Sequence, residues 1–85
     1  MYFVYVLQSE KDERLYIGSS ADLDKRLKQH NSGKTKSTKP YRPYKLIYTE
    51  EFQSKTEALQ REKQIKNSGF IRKQLKDGNY NGPIV

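Results

Sequence analysis

The stretch from Tyr16 to His30 constrains this chain more than any other. It runs Tyr16-Ile17-Gly18-Ser19-Ser20-Ala21-Asp22-Leu23-Asp24-Lys25-Arg26-Leu27-Lys28-Gln29-His30. A short β-prone run closes on a glycine, Ser/Asp residues suited to a helix cap follow, and an amphipathic helix begins. On that helix Leu23, Arg26, Leu27 and His30 fall into one i, i+3, i+4, i+7 stripe. Arginine and histidine therefore share the face that should turn inward, where a core prefers carbon. The plain alternative is a surface arginine whose stem covers Leu23 and a helix-end histidine satisfied by solvent.

Around that stretch the chain divides into short elements. Tyr2 to Leu7 is aromatic and β-branched on both alternating faces, which predicts a central strand covered on two sides. Ser9 to Arg14 has the length of a hairpin connection, so Leu15 to Ser19 pairs antiparallel with the first strand and Tyr5 comes near Tyr16. Gly18 either closes the strand or allows close approach of a phosphate or the next helix. Asp22 or Ser20 caps the first helix, which runs to about Asn31, and Gly33 suits a left-handed stop. Lys34 to Pro43 reads as a flexible basic loop, a candidate phosphate-gripping arm. Tyr44, Leu46 and Tyr48 alternate and mark a third strand reaching about Phe52.

Ser54 to Glu57 is a capping box that opens a second helix. Ala58, Leu59, Glu62 and Ile65 fall within about 120° on that helix, which puts Glu62 in the middle of an apolar stripe. Asn67-Ser68-Gly69 breaks it, and Phe70 to Lys76 forms a third helix with Ile71 and Leu75 inward. The expected fold is therefore α/β (α+β), a three-stranded antiparallel sheet with helices packed on it. Residues 1-77 form one domain, and 78-85, rich in glycine and asparagine, form a flexible C-terminal tail.

Eighty-five residues hold one small core. With no cysteine, disulfides, zinc ribbons and thiol chemistry are excluded. The apolar run at the start is too short to span a bilayer and no cleavable signal precedes it, so a soluble cytoplasmic protein is expected. The net charge is +7. Eight Lys/Arg and no acid lie between Lys25 and Thr49, and six more lie between Arg61 and Lys76 against the single Glu62. Such segregation predicts one positive face and a polyanionic partner, most simply nucleic acid. Lys25, Lys28, Lys34, Lys36, Lys39, Arg42 and Lys66 are the candidate phosphate contacts. Glu62, the one acid of the basic C-terminal half on an inward face, is the candidate ligand for Mg²⁺, an ion content with few protein ligands. Its plain alternative is an i, i+4 ion pair with Lys66. For Tyr5 and Tyr16 the plain alternative is a core tyrosine with a satisfied hydroxyl.

Tyr16-Ile17-Gly18 resembles the second half of the GIY-YIG nuclease pattern, and Val4-Tyr5-Val6 stands where the first half belongs. The tyrosine of that half is kept as Tyr5, while its leading glycine is Val4. Arg26 and His30, and Glu62 within Arg61-Glu62-Lys63-Gln64-Ile65-Lys66, extend the likeness over roughly residues 2 to 75. It is a likeness to small single-domain bacterial members and to the nuclease domain of structure-specific endonucleases. The resemblance implies a DNA endonuclease of repair or recombination that hydrolyses phosphodiesters with one divalent ion, Mg²⁺ or Mn²⁺. It implies that Tyr5 is the general base on the attacking water and that Tyr16 orients that water or the phosphate. Arg26 would clamp the phosphate, His30 would relay a proton or bond Tyr5, and Glu62 would hold the metal. The lysine that some relatives carry after the YIG glycine is Ser19 here, and the asparagine often found beyond the glutamate helix has only Asn67 as a candidate. Two other function classes stay open: a non-catalytic nucleic-acid-binding module with the same fold, and a nuclease subunit whose protein partner supplies substrate recognition.

Overall fold

The computed structural model describes residues 1–82. Strand β1 (Tyr2–Ser9) needs cover on both faces and takes the middle of the sheet. β2 (Leu15–Ser20) and β3 (Tyr44–Phe52) flank it, both antiparallel, in the order β2-β1-β3. Helix α1 (Leu23–Ser32) packs on one face, and α2 (Lys55–Asn67) and α3 (Gly69–Lys76) on the other. A single 3₁₀ turn, Lys39–Tyr41, lies in the connection from α1 to β3.

The two faces differ in chemistry. Under α2 and α3 the core is aliphatic: Val4, Val6 and Ile17 meet Ala58, Ile65, Ile71 and Leu75. Each fully buried aliphatic side chain there stabilises the fold by about 2 kcal/mol. Under α1 the layer is aromatic, with Tyr5 and Tyr44 beside Leu7, and Tyr16, Tyr41, Leu23 and Leu27 packed against them. Tyr5, Tyr16, Tyr41 and Tyr44 thus lie together on the α1 side, while Tyr2, Tyr48 and Tyr80 pack against the other core.

Local signals set the helix ends. Asp22 caps α1 by accepting the Lys25 N–H, and Ser20 supports that turn by bonding the backbone of Asp22. Gly33 ends α1 at φ 83°, a left-handed conformation, and donates to the Gln29 and His30 carbonyls. Ser54 accepts from the Glu57 N–H at the start of α2. Ser68 ends α2 and caps α3, accepting from the Ile71 N–H.

Three expectations are corrected. Tyr44, Leu46 and Tyr48 do not share a face: Leu7 pairs with Leu46 but Val6 with Tyr48, so Ile47 is an extra residue in a bulge. Beyond it the faces exchange, and Tyr48 joins the aliphatic side. On α2 the buried face is Ala58, Arg61 and Ile65, with Leu59 exposed and Glu62 at the margin. Arg61 is buried because Glu50 of β3 pairs with it at 3.0 Å, a partner invisible to helical periodicity. The 34–43 loop is not a free arm: Thr38 is buried, Ser9 donates to the Tyr41 carbonyl, and the Arg14 guanidinium lies 3.4 Å over the Tyr41 ring. Within the expected tail, Tyr80 packs on Tyr48 and accepts a hydrogen bond from Arg61. Residues 83–85 of that tail lie outside the described residues.

Candidate active site

Tyr5 and Gly18 are cross-strand partners in β1 and β2. Gly18 sits inside β2 rather than closing it, and its missing side chain makes room for neither a phosphate nor a helix. The Tyr5 phenol uses that space, since a Cβ on residue 18 would stand 2.6 Å from Tyr5 Oη. The hydroxyl is thereby carried across to the sheet edge.

His30, fully buried on α1, meets that hydroxyl through Nε2 at 3.2 Å. Its Nδ1 lies 2.9 Å from Thr38 Oγ1. Tyr16 packs its ring 4.5 Å from the imidazole and 6.3 Å from the Tyr5 ring, centroid to centroid. Burial and then the charge of Arg26 lower the His30 pKa, so the imidazole is neutral in neutral solution. Burial raises the Tyr5 phenol, and the Arg26 guanidinium opposes that rise.

Arg26 stands one helical turn before His30 on the same face. The Tyr5 hydroxyl beside it favours its charged form, with Tyr16 contributing less. Its Nη1 donates to Gln29 Oε1 at 3.2 Å. Its Nε is buried with no acceptor, alone in that among the described residues. A buried guanidinium N–H without an acceptor is costly, and an oxyanion lying between Arg26 and the two tyrosines would satisfy it.

Glu62 reaches this edge from the opposite layer. Ser19, next to Gly18 and facing α2, donates to Glu62 Oε1 at 2.7 Å. Lys66 donates to Oε2, also at 2.7 Å. The carboxylate is 17% exposed and its charge registers at Tyr5 across the strand. Tyr5, Tyr16, Arg26 and His30 therefore form one cluster, and Glu62 approaches it around β2. Asn67, the exposed last residue of α2, makes no such approach.

Can these residues hold a divalent cation? No group of three or more His, Asp or Glu converges among the described residues. Mg²⁺ keeps most of its waters and accepts one carboxylate, so Glu62 fits it. A cation already sits on Oε2, supplied by the Lys66 side chain, which is 51% exposed.

The candidate phosphate contacts are dispersed. Lys25, Lys28 and Lys34 border a cleft of about 580 Å³ beside α1, and Lys39 and Arg42 border another of about 430 Å³. Lys36 is exposed in the same connection. Lys66 instead lines a cleft of about 670 Å³ between the β2 edge and α3, with Arg14, Tyr16, Arg72, Lys73 and Lys76. The charge count from Arg61 to Lys76 pointed to these α3 cations, but only the fold shows that they face Tyr16. Ser19 and Thr38 had no sequence signal, because each acts through a partner distant in the chain.

No helix among the described residues is long and apolar enough to cross a membrane. The chain is 40% identical to a UPF0213 protein of Clostridium perfringens, covering 99% of this chain and 98% of that one. It is 44% identical to the UPF0213 protein YazA of Bacillus subtilis, over 87% of this chain and 75% of its relative. The solution structure of the UPF0213 protein BH0048 from Bacillus halodurans superposes with a TM-score of 0.55 at 38% identity, covering 91% of this chain and 84% of that one. The family model for the GIY-YIG catalytic domain matches residues 1–70, a span that contains Tyr5, Tyr16, Gly18, Arg26, His30 and Glu62. With that match and these relatives, the chain belongs to the GIY-YIG domain family of the nuclease superfamily.

Proposed function

We propose that this protein is an endonuclease that hydrolyses phosphodiester bonds in DNA, with Tyr5, Tyr16, Arg26 and His30 as its reacting cluster and Glu62 as its metal ligand. The observation that carries the reading is the orphaned Nε of Arg26, buried beside the Tyr5 and Tyr16 hydroxyls. A phosphate there accepts from the guanidinium fork while a water between it and Tyr5 is in line to attack. Tyr5 takes the proton of that water and His30 stands behind Tyr5 to receive one in turn. Tyr16 holds the water or a phosphate oxygen from the side. The divalent ion that GIY-YIG nucleases generally use supplies, when bound, Lewis-acid stabilisation of charge on the phosphoryl and leaving oxygens. The cations of the α3 cleft support a path for one strand away from Tyr16.

The Lys66–Glu62 ion pair favours a second reading, a nucleic-acid-binding module without activity, because it already neutralises the carboxylate. Arg26→Lys separates the two. Lysine keeps the charge but loses the fork and the Nε donor. Plasmid nicking in Mg²⁺ should fall about 10²-fold while DNA affinity stays within about threefold. Equal nicking by wild type and variant would remove Arg26 as the clamp, and no nicking by wild type under any divalent ion would favour the binding module.

A further inference from the structure

The hydrogen bonds around His30 contain more than a contact between histidine and tyrosine. Thr38 has one hydroxyl proton, and the Thr35 carbonyl lies 3.3 Å from its oxygen. With that proton on the Thr35 carbonyl, Oγ1 faces His30 as an acceptor, so Nδ1 carries the imidazole proton. Nε2 then offers a lone pair to Tyr5. The Tyr5 end favours the same arrangement. Tyr5 is 1% exposed, so its hydroxyl must donate within the protein, and the Arg26 guanidinium beside it carries donors only. Nε2 of His30 is the acceptor the geometry supplies. Were the ring protonated on Nε2 instead, the Thr38 hydroxyl would turn to Nδ1 and the Tyr5 hydroxyl proton would lose its acceptor.

We infer that Thr38 is a positioning residue, which fixes His30 as the Nδ1–H tautomer and so aims the Tyr5 hydroxyl proton at Nε2. This rests on the nuclease reading above and specifies its proton path. In the reaction the water O–H bond breaks as oxygen bonds to phosphorus, and that proton passes to Tyr5 Oη. The proton Tyr5 already holds moves to Nε2, giving an imidazolium that keeps Nδ1–H on Thr38. Proton return to solvent through Tyr5 resets the pair, and the departing oxygen is protonated by solvent. Tyr5 from β1, Tyr16 from β2, Arg26 on α1, Tyr44 from β3 and Thr38 from the connection surround the ring. None of these is a carboxylate, so no acid competes with Thr38 for the Nδ1 proton. Thr38 lies in the basic connection, but it acts inward through its hydroxyl and not on phosphate.

The test reads the tautomer directly. In protein with ¹⁵N-labelled histidine, whose only histidine is His30, wild type should give a pyrrole-like Nδ1 and a pyridine-like Nε2 in neutral solution. Thr38→Val, isosteric but without an acceptor, should lose that pattern. Its kcat for DNA nicking should fall about tenfold with KM unchanged, as expected when a general base is misaligned and binding is not. Thr38→Ser, which keeps the hydroxyl, should restore both readouts. A wild-type spectrum with the proton on Nε2 overturns the inference, as does a Thr38→Val enzyme with wild-type kcat. Were Thr38→Val unfolded, the wild-type and Thr38→Ser spectra would still decide the tautomer. A wild type that shows the Nδ1–H tautomer yet never nicks DNA would instead overturn the nuclease reading and leave the hydrogen-bond assignment standing.

Discussion

At the scale of single residues, Gly18 shows how a backbone position can govern chemistry it does not perform. It faces Tyr5 across the sheet, and the phenol occupies the volume a side chain would fill. Gly18→Ala places a methyl group 2.6 Å from Tyr5 Oη and 3.2 Å from the Tyr16 ring, so it is the phenol that has to give way. The phenol must move off His30 and away from Arg26. Misplacement on the order of 1 Å in a reacting group costs about 10²-fold in rate. The variant should therefore lose about that much nicking while DNA affinity holds, with about 1–3 kcal/mol of stability lost to overpacking. Denaturant melts run beside nicking assays check both numbers, and full activity would mean that Tyr5 does not work from this position. Much of this cluster was legible in the sequence, because Arg26 and His30 share a helix stripe and Tyr5 and Tyr16 fall on paired strands. Thr38 and Ser19 were not. Their roles depend on a loop folding back on α1 and on α2 crossing β2, and neither contact has a local signature.

Among the elements, α2 is held to the sheet by polar as well as apolar contacts. Arg61 and Glu50 form an ion pair whose side chains are 8% and 15% exposed, with Tyr48 and Tyr80 bonded to it. Burial and then Glu50 push the Tyr48 hydroxyl well above the ordinary phenol range, so it stays protonated and donates to the carboxylate. Removing one partner of such a pair leaves the other charge buried. Glu50→Ala should cost about 3–5 kcal/mol in urea denaturation, while Glu50→Leu with Arg61→Met should recover most of it. A single variant as stable as wild type would contradict the placement of Arg61. Sequence periodicity had put Leu59 and Glu62 on the inward face, since arginine counts as polar wherever it stands. The bulge at Ile47 escaped for a related reason: alternation of Tyr44, Leu46 and Tyr48 looks unbroken until pairing with β1 shows the slip. Gly33, Ser54 and the break at Asn67-Ser68-Gly69 were readable because such ends are decided within four residues of chain, whereas the choice between Ser20 and Asp22 as the cap of α1 needed the structure.

Over the whole molecule, a charge of +7 on 85 residues is spread over several clefts. Cations border the α1 cleft, the connection to β3, and the cleft between β2 and α3, and the last of these is the one Tyr16 lines. If about five phosphates are neutralised, log affinity for duplex DNA should fall with log salt at a slope of about −4 to −5. Arg72→Gln with Lys73→Gln and Lys76→Gln should flatten that slope by about 2, and titrations by anisotropy measure it. An unchanged slope would take α3 out of the binding surface. A polyanionic partner was readable from the segregation of charge along the sequence, but the division of the cations among clefts was not, because that follows from how α3 turns back against β2. Glu62 is the carboxylate at the cluster's edge, set between Ser19 and Lys66. Glu62→Gln keeps size and helix propensity and removes the charge that attracts a divalent ion. The decisive measurement is plasmid nicking and DNA affinity for wild type and Glu62→Gln side by side in Mg²⁺. A fall in nicking of about 10²-fold or more, with affinity equal or slightly tighter, is the predicted result; nicking by the variant at the wild-type rate would contradict it.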